Sequence, residues 1–237
     1  MDQIAEILKK GGDELGLSFS SEQIEKFSIY LEELKRWNRK LNLTGLKKDE
    51  EIVVKHFLDS LSCAELIEDF DGKMIDVGTG AGFPSLPLKI YQPEIQLTLL
   101  ESTRKKVTFL EYLVKALKLK KVRVIWSRAE EWAQGEERES YHYVVCRALA
   151  SLRVSLEYTL PFLEIGGCLI VQKGPKVKEE IKASSKALSI LGGRMERIVH
   201  FKLPLSRDER YLLRIKKVRA TPPGYPRRVG IPSKRPL

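Results

Sequence analysis

The stretch that most constrains the fold runs from Lys73 to Ile90, K-M-I-D-V-G-T-G-A-G-F-P-S-L-P-L-K-I. Met74, Ile75 and Val77 read as a short buried strand; the glycines after them break it, and the apolar run beyond can be helical. Gly78, Gly80 and Gly82 fall at alternate positions, beginning two residues after Asp76. The dinucleotide fingerprint asks for a third glycine five places after the first, where this chain has Phe83. The turn therefore lets backbone approach a ligand closely without matching the NAD pattern. Asp76, at the carboxyl end of its strand, can accept hydrogen bonds or orient the turn; its charge would repel a pyrophosphate and favour a cationic ligand. Taken alone, the motif is also compatible with a plain glycine-rich turn in an α/β protein.

The pattern of elements around it narrows the choice. Residues 1 to about 70 read as all-helical. Ile4, Ile7 and Leu8 share one face, Ser20 and Gln23 form a capping box, and Ile24, Phe27, Leu31 and Leu34 supply the apolar stripe of the helix it opens. Trp37 extends that stripe as a core aromatic. A further helix from about Asp49 clusters Ile52, Val53, His56, Phe57 and Leu61, with His56 read as a half-buried structural histidine. After the glycine turn, strands at Ile95–Leu100, Val122–Trp126, Tyr143–Cys146 and Cys168–Gln172 alternate with helical patterns, which implies a parallel sheet. Runs at Ile198–Leu203 and Tyr211–Val218 predict a hairpin-like pair with an antiparallel edge. Beyond Ala220 the chain is too rich in proline and glycine for a helix or a central strand. The division expected is a helical cap over residues 1–70 and an α/β domain over 71–237 with a basic tail.

Ligands of such sheets gather at the carboxyl ends of the strands, where Asp76, Glu101, Glu130, Arg147 and Lys173 all fall. Glu101, at the end of the second strand, is placed to accept from ribose hydroxyls, and Ala129 and Glu130, after the third, to meet an adenine. The alternatives are a solvated strand end and a surface charge. Arg147 ends an apolar strand, where an unpaired cation is costly, so it should meet a carboxylate or phosphate, or else form an internal salt bridge. Lys173 could contact substrate phosphate or base, or be an ordinary loop lysine.

The net charge of +10 is unevenly placed: residues 202–237 carry 11 basic and 2 acidic side chains. This asymmetry points to a polyanion, nucleic acid before membrane, because no basic amphipathic helix accompanies it; a solvated tail is the bland alternative. Cys63, Cys146 and Cys168 form neither a C-x-x-C pair nor an even framework and read as reduced core residues. The three histidines are isolated, so no metal is expected. No apolar run is long enough to span a bilayer, and the amino terminus, with Asp2, Glu6, Lys9 and Lys10, does not resemble a signal peptide. A cytoplasmic protein is the simplest expectation.

The acid, alternate glycines and following helix resemble class I methyltransferases. The joint set D-V-G-T-G-A-G-F-P, L-L-E-S, S-R-A-E-E, C-R-A-L-A-S-L, K-G-P and Y-P-R-R-V-G-I-P-S-K-R-P-L, with W-N-R-K-L-N-L-T and H-F-L-D-S-L upstream, resembles the RsmG (GidB) family over nearly the whole chain. That resemblance implies a Rossmann-like fold: a mostly parallel seven-stranded sheet with one antiparallel edge strand, under an amino-terminal helical cap. It implies methyl transfer from S-adenosylmethionine to ring nitrogen 7 of a guanine in small-subunit ribosomal RNA, leaving S-adenosylhomocysteine. Cofactor contacts carried over fall on Gly78, Phe83, Ala129, Glu130 and Arg147; Asp76, Gly80 and Glu101 belong to the class I pattern generally. Lys173, Arg227, Arg228, Lys234 and Arg235 are the expected RNA contacts, with ribosomal RNA or the small subunit as partner and a monomer as the working unit. No catalytic acid or base is expected; Arg147 could position the reactants. The rivals are an NAD(P)-dependent oxidoreductase, which Phe83 speaks against, and a non-catalytic ribosome-assembly factor with a vestigial pocket.

Overall fold

The computed structural model describes residues 3–237; Met1 and Asp2, the latter counted above among the amino-terminal charges, lie outside the described residues. Five strands, β1 (Lys73–Val77), β2 (Gln96–Glu101), β3 (Val122–Trp126), β4 (Tyr141–Arg147) and β5 (Leu163–Lys173), run parallel. With β6 (Gly193–Lys202) and β7 (Glu209–Lys217) they form one seven-stranded sheet in the order β3-β2-β1-β4-β5-β7-β6. Winding proceeds outward from β1 in one direction and resumes at β4 in the other, so the switch point lies between β1 and β4. The antiparallel pairing lies at the predicted edge. There β7 opposes both neighbours and β6 takes the rim, because the short β6–β7 connection permits only a reversal.

Alternation along each strand builds two layers of core. Met74, Val145 and Ile170 face one side of the sheet, whereas Ile75, Val77, Val144, Cys146, Leu169 and Val171 face the other. The first side is covered by α1 (Gln3–Leu15), α2 (Ser21–Leu41), α5 (Ser85–Tyr91), α6 (Arg104–Ala116) and the continuous helical run from Asp49 to Leu66. The second is covered by α8 (Leu152–Thr159), α9 (Val177–Ala183) and α10 (Ser185–Leu191). The capping box opens α2: Ser20 Oγ accepts from Gln23 N–H at 3.2 Å, and Gln23 Oε1 accepts from Ser20 N–H at 2.8 Å. Phe27, Tyr30, Leu31 and Leu34 of α2 are buried, and Trp37 packs on Phe109 and Tyr112 of α6, the core role read from its stripe.

Two details depart from simple periodicity. The run from Asp49 passes from α3 (Asp49–Ile52) through a π-helical segment, Val53–Leu58, before α4 (Asp59–Leu61), and this widening falls beside the carboxyl end of β4. The tail contains a short helical turn, α11 (Ile231–Lys234), despite its prolines; Pro232 sits in the first turn, where no N–H is needed. The remaining short helices are α7 (Ala129–Trp132) and a 3-10 turn, Leu160–Phe162, after α8. All three cysteines are buried and free, and among the described residues no helix is long and apolar enough to cross a membrane.

Candidate active site

The glycine turn is fixed by its neighbours. Gly78, Gly80 and Gly82 have φ of +71°, +63° and +104°, a region that disfavours side chains. Gly78 and Thr79 N–H both donate to Leu100 O, at 2.9 and 3.2 Å. Glu101, only 5% exposed, accepts from Gly80 N–H at 3.0 Å through one oxygen and from Thr103 N–H at 2.8 Å through the other. It therefore braces the turn and, in place of a side-chain cap, opens α6; an ionised carboxylate retains further lone pairs for a ligand. Asp76 is fully buried. Its Oδ2 accepts from Thr79 Oγ1 at 2.8 Å, Ser85 Oγ at 2.5 Å and Ser85 N–H at 3.3 Å, while Oδ1 is buried without a partner. Burial pushes its carboxyl up to about 7, against the pull of those hydrogen bonds.

Phe83 and Arg147 meet in a stack behind the turn. The Phe83 ring lies parallel to Tyr30, with centroids 5.3 Å apart, and against His56 at 4.5 Å; the Arg147 guanidinium sits 4.8 Å from its centroid. The Arg147 side chain is 15% exposed, and the carboxylate facing it, on Asp59, is 3.5 Å away. Arg147 Nη1 donates to Lys55 O at 3.3 Å, and Nη2 lies 3.1 Å from His56 Nδ1. Nδ1 also lies 3.2 Å from Lys55 O, and Nε2 lies 2.7 Å from Thr44 Oγ1. Burial and the adjacent guanidinium push the imidazole down to about 3, so His56 is neutral and both its nitrogens are engaged. It is a structural histidine, as its place on the helix face predicts. Asp59 and Thr44, which hold this group, carry no signal in sequence spacing alone.

A narrow cleft of about 80 Å³ opens at the carboxyl ends of β1, β2 and β3, lined by Gly78, Ser102, Ser127, Ala129, Glu130, Leu149 and Tyr158. Gly78, Ala129 and Glu130 are thus brought together as the sequence predicts; Leu149 and Tyr158 are additions. Leu149 lies over the turn so closely that a Cβ at Gly78 would be 2.4 Å from its Cδ1. A nucleoside-sized pocket is several times larger, and Leu149 is the side chain that lies over the turn at its mouth. The segment that carries it, between β4 and α8, includes Ala148 at φ +50°.

The expected RNA contacts divide in two by the partners they have within the chain. Lys173 Nζ donates to Ala150 O at 2.7 Å and pairs with Glu180 at 2.8 Å, pinning the segment that carries Leu149. Arg227 grips the buried Glu157 through Nε at 2.8 Å, Nη2 at 2.6 Å and its backbone N–H at 2.9 Å. Both cations have internal carboxylates where a phosphate was expected, because α8 and α9 carry acids to the points where the loops pass. Arg228, Lys234 and Arg235 are exposed.

Comparison with known proteins gives the family and the fold. The family described as rRNA small subunit methyltransferase G (GidB) matches residues 23–211. The chain belongs to the GidB family. A relative from Alkaliphilus metalliredigens, named ribosomal RNA small subunit methyltransferase G, is 48% identical over 98% of both chains. One of the same name from Acetivibrio thermocellus is 47% identical over 99% of this chain and 97% of its own. Among solved structures, a SAM-dependent methyltransferase from Aquifex aeolicus superposes with a TM-score of 0.55 at 18% identity, covering 75% of this chain and 97% of that one. TYW2 from M. jannaschii, solved with AdoMet, gives 0.52 at 14% identity over 68% and 77%. These distant likenesses speak for the fold, and that fold is the class I methyltransferase architecture.

Proposed function

We propose that this chain transfers a methyl group from S-adenosylmethionine to ring nitrogen 7 of a guanine in small-subunit ribosomal RNA. It is an S-adenosylmethionine-dependent ribosomal RNA methyltransferase. The observation that carries this reading is the meeting of the glycine turn, which Glu101 braces, with Ala129 and Glu130 at one cleft, in a chain aligned over nearly its full length with enzymes of that name.

The residues present fit the donor. An orphaned, buried carboxylate oxygen on Asp76 suits a cationic ligand, and a guanidinium whose facing carboxylate stands 3.5 Å off suits the carboxylate of an amino acid. Gly78 and Gly80 would offer close backbone approach, Glu101 ribose contacts, Ala129 and Glu130 the adenine end, and Phe83 with Arg147 the methionine end. When bound, S-adenosylmethionine supplies an electrophilic methyl group on a sulfonium.

Ring nitrogen 7 of guanine has a lone pair and no proton, so the chain needs no general base; what it contributes is in-line placement and exclusion of water. His56, neutral and engaged at both nitrogens, is consistent with that economy. Asp76 and Glu101 hold the turn, Arg147 positions, and Leu149 and Tyr158 close the cleft against solvent. Arg228, Lys234 and Arg235 contact RNA phosphates and fix register without reading sequence. Residues 1–70 act as a cap over the catalytic domain, 71–237, and the enzyme works as a cytoplasmic monomer on ribosomal RNA or the small subunit.

The test is methylation by the purified protein of ribosomal RNA from a strain lacking the activity, with the modified base mapped by mass spectrometry. A mass gain on guanine with the lability of an N7 adduct is expected. Methyl incorporation at another atom overturns the N7 reading. Binding of S-adenosylmethionine without transfer favours an assembly factor.

A further inference from the structure

We propose that the carboxyl-terminal segment, residues 221–237, is a wall of the cofactor site as well as an RNA contact, so that RNA on its exposed cations is felt at the cofactor. This rests on the cleft being the S-adenosylmethionine site. Two cleft residues are each joined to the segment from behind. Glu130, 6% exposed, accepts the Gly230 N–H at 3.1 Å, and the Tyr158 hydroxyl lies 2.9 Å from Ser233 Oγ. Burial raises the Tyr158 hydroxyl above its ordinary range; the Ser233 contact pulls against that shift and the neighbouring Glu130 adds to it.

The segment is lashed down rather than trailing. Arg227 holds Glu157, one residue before Tyr158, through three hydrogen bonds, and its Nη2 also donates to Arg235 O at 2.9 Å, folding the segment back on itself. Upstream, Arg138 donates to Tyr225 O and Thr221 O, both at 2.7 Å, and Gln134 to Pro226 O at 2.9 Å. Arg228 follows that anchor directly, and Lys234 and Arg235 follow the Ser233 contact. A phosphate drawn to these cations acts on the same few residues that hold Glu130 and Tyr158. Arg227 and Ser233 are therefore positioning residues for the cofactor. By linkage, cofactor and RNA must alter each other's affinity by the same factor.

The experiment is calorimetric titration of S-adenosylhomocysteine into the full chain and into Ser233→Ala, Arg227→Lys and Arg227→Met, each checked for folding by circular dichroism and urea midpoint. Ser233→Ala, which removes one hydrogen bond, is expected to weaken binding about three- to tenfold while the chain remains folded. Arg227→Met is expected to weaken it further, with Arg227→Lys between. A short ribosomal RNA transcript is expected to shift the unaltered chain's affinity by about fivefold or more, and to leave that of the Arg228, Lys234 and Arg235 triple alanine variant unmoved. No binding to the unaltered chain overturns the site assignment and this inference with it. Binding to the full chain with equal affinity in folded Ser233→Ala and Arg227→Lys overturns the inference alone. A transcript that leaves the unaltered chain's affinity unmoved removes the coupling.

Discussion

Asp76 offers the sharpest test of how the glycine turn is built. Its carboxyl is fully buried, with three donors on Oδ2 and none on Oδ1, and it titrates at about 7 against an ordinary 3.8. The unfolded chain loses this proton near 3.8 and the folded chain near 7. Between those values the folded state binds more protons, so stability falls as pH rises; below 3.8 and above 7 the contribution is flat. From pH 5 to 8 the loss from this group is about 2 to 3 kcal/mol, taking 1.36 kcal/mol per pH unit across most of the remaining window. Asp76→Asn retains a carbonyl oxygen for the Thr79 and Ser85 donors and does not titrate. The assay is urea unfolding of both proteins across pH 5 to 8, reading the difference in stability so that other groups cancel. Wild type is expected to lose about 2 to 3 kcal/mol relative to the variant as pH rises. A flat difference would refute the assignment of a raised carboxyl here. A second reading follows from the charge of the ligand: a cation beside Oδ1 lowers this pKa, so S-adenosylmethionine binding at pH 6.5 should release a proton. Titrations in buffers of different ionisation enthalpy would detect it.

Gly78→Ala should cost about 1 to 2 kcal/mol from its φ of +71° alone, with more from the Leu149 contact. Adding Leu149→Ala should restore only the steric part, and a single variant as stable as wild type by urea midpoint would contradict the geometry. Glu101→Ala removes the acceptor of the Gly80 and Thr103 N–H groups, each charged bond worth roughly 1.5 to 3 kcal/mol. It should weaken S-adenosylhomocysteine binding measured by calorimetry, with Glu101→Gln intermediate; unchanged affinity would assign Glu101 elsewhere. Replacing Arg228, Lys234 and Arg235 with alanine should reduce the salt slope of RNA binding by about 2, at roughly 0.7 per phosphate contact on a single strand. An unaltered slope would place the RNA on another face.

Much of this protein is legible without coordinates, for identifiable reasons. Period-two alternation and glycine punctuation are local properties, so strands β1 to β5, the turn at Gly78–Gly82 and the capping box at Ser20 could be read directly. The parallel sense of the sheet was equally accessible, since strands with helical crossovers place their carboxyl ends together, and with them Asp76, Glu101, Glu130 and Arg147; the order of the strands came only from the structure. What the chain's linear pattern does not carry is the partner of a charge. Arg227 and Glu157 are 70 residues apart, Arg147 and Asp59 lie on different layers, and Lys173 meets Glu180 only once α9 folds back. The sequence by itself determined which residues crowd the strand ends and that the tail is basic. The tertiary structure decided which of those cations are already neutralised, because pairing depends on distance through space. It leaves Arg228, Lys234 and Arg235 facing solvent, while Arg227 and Lys173 bind the segments that shape the cleft.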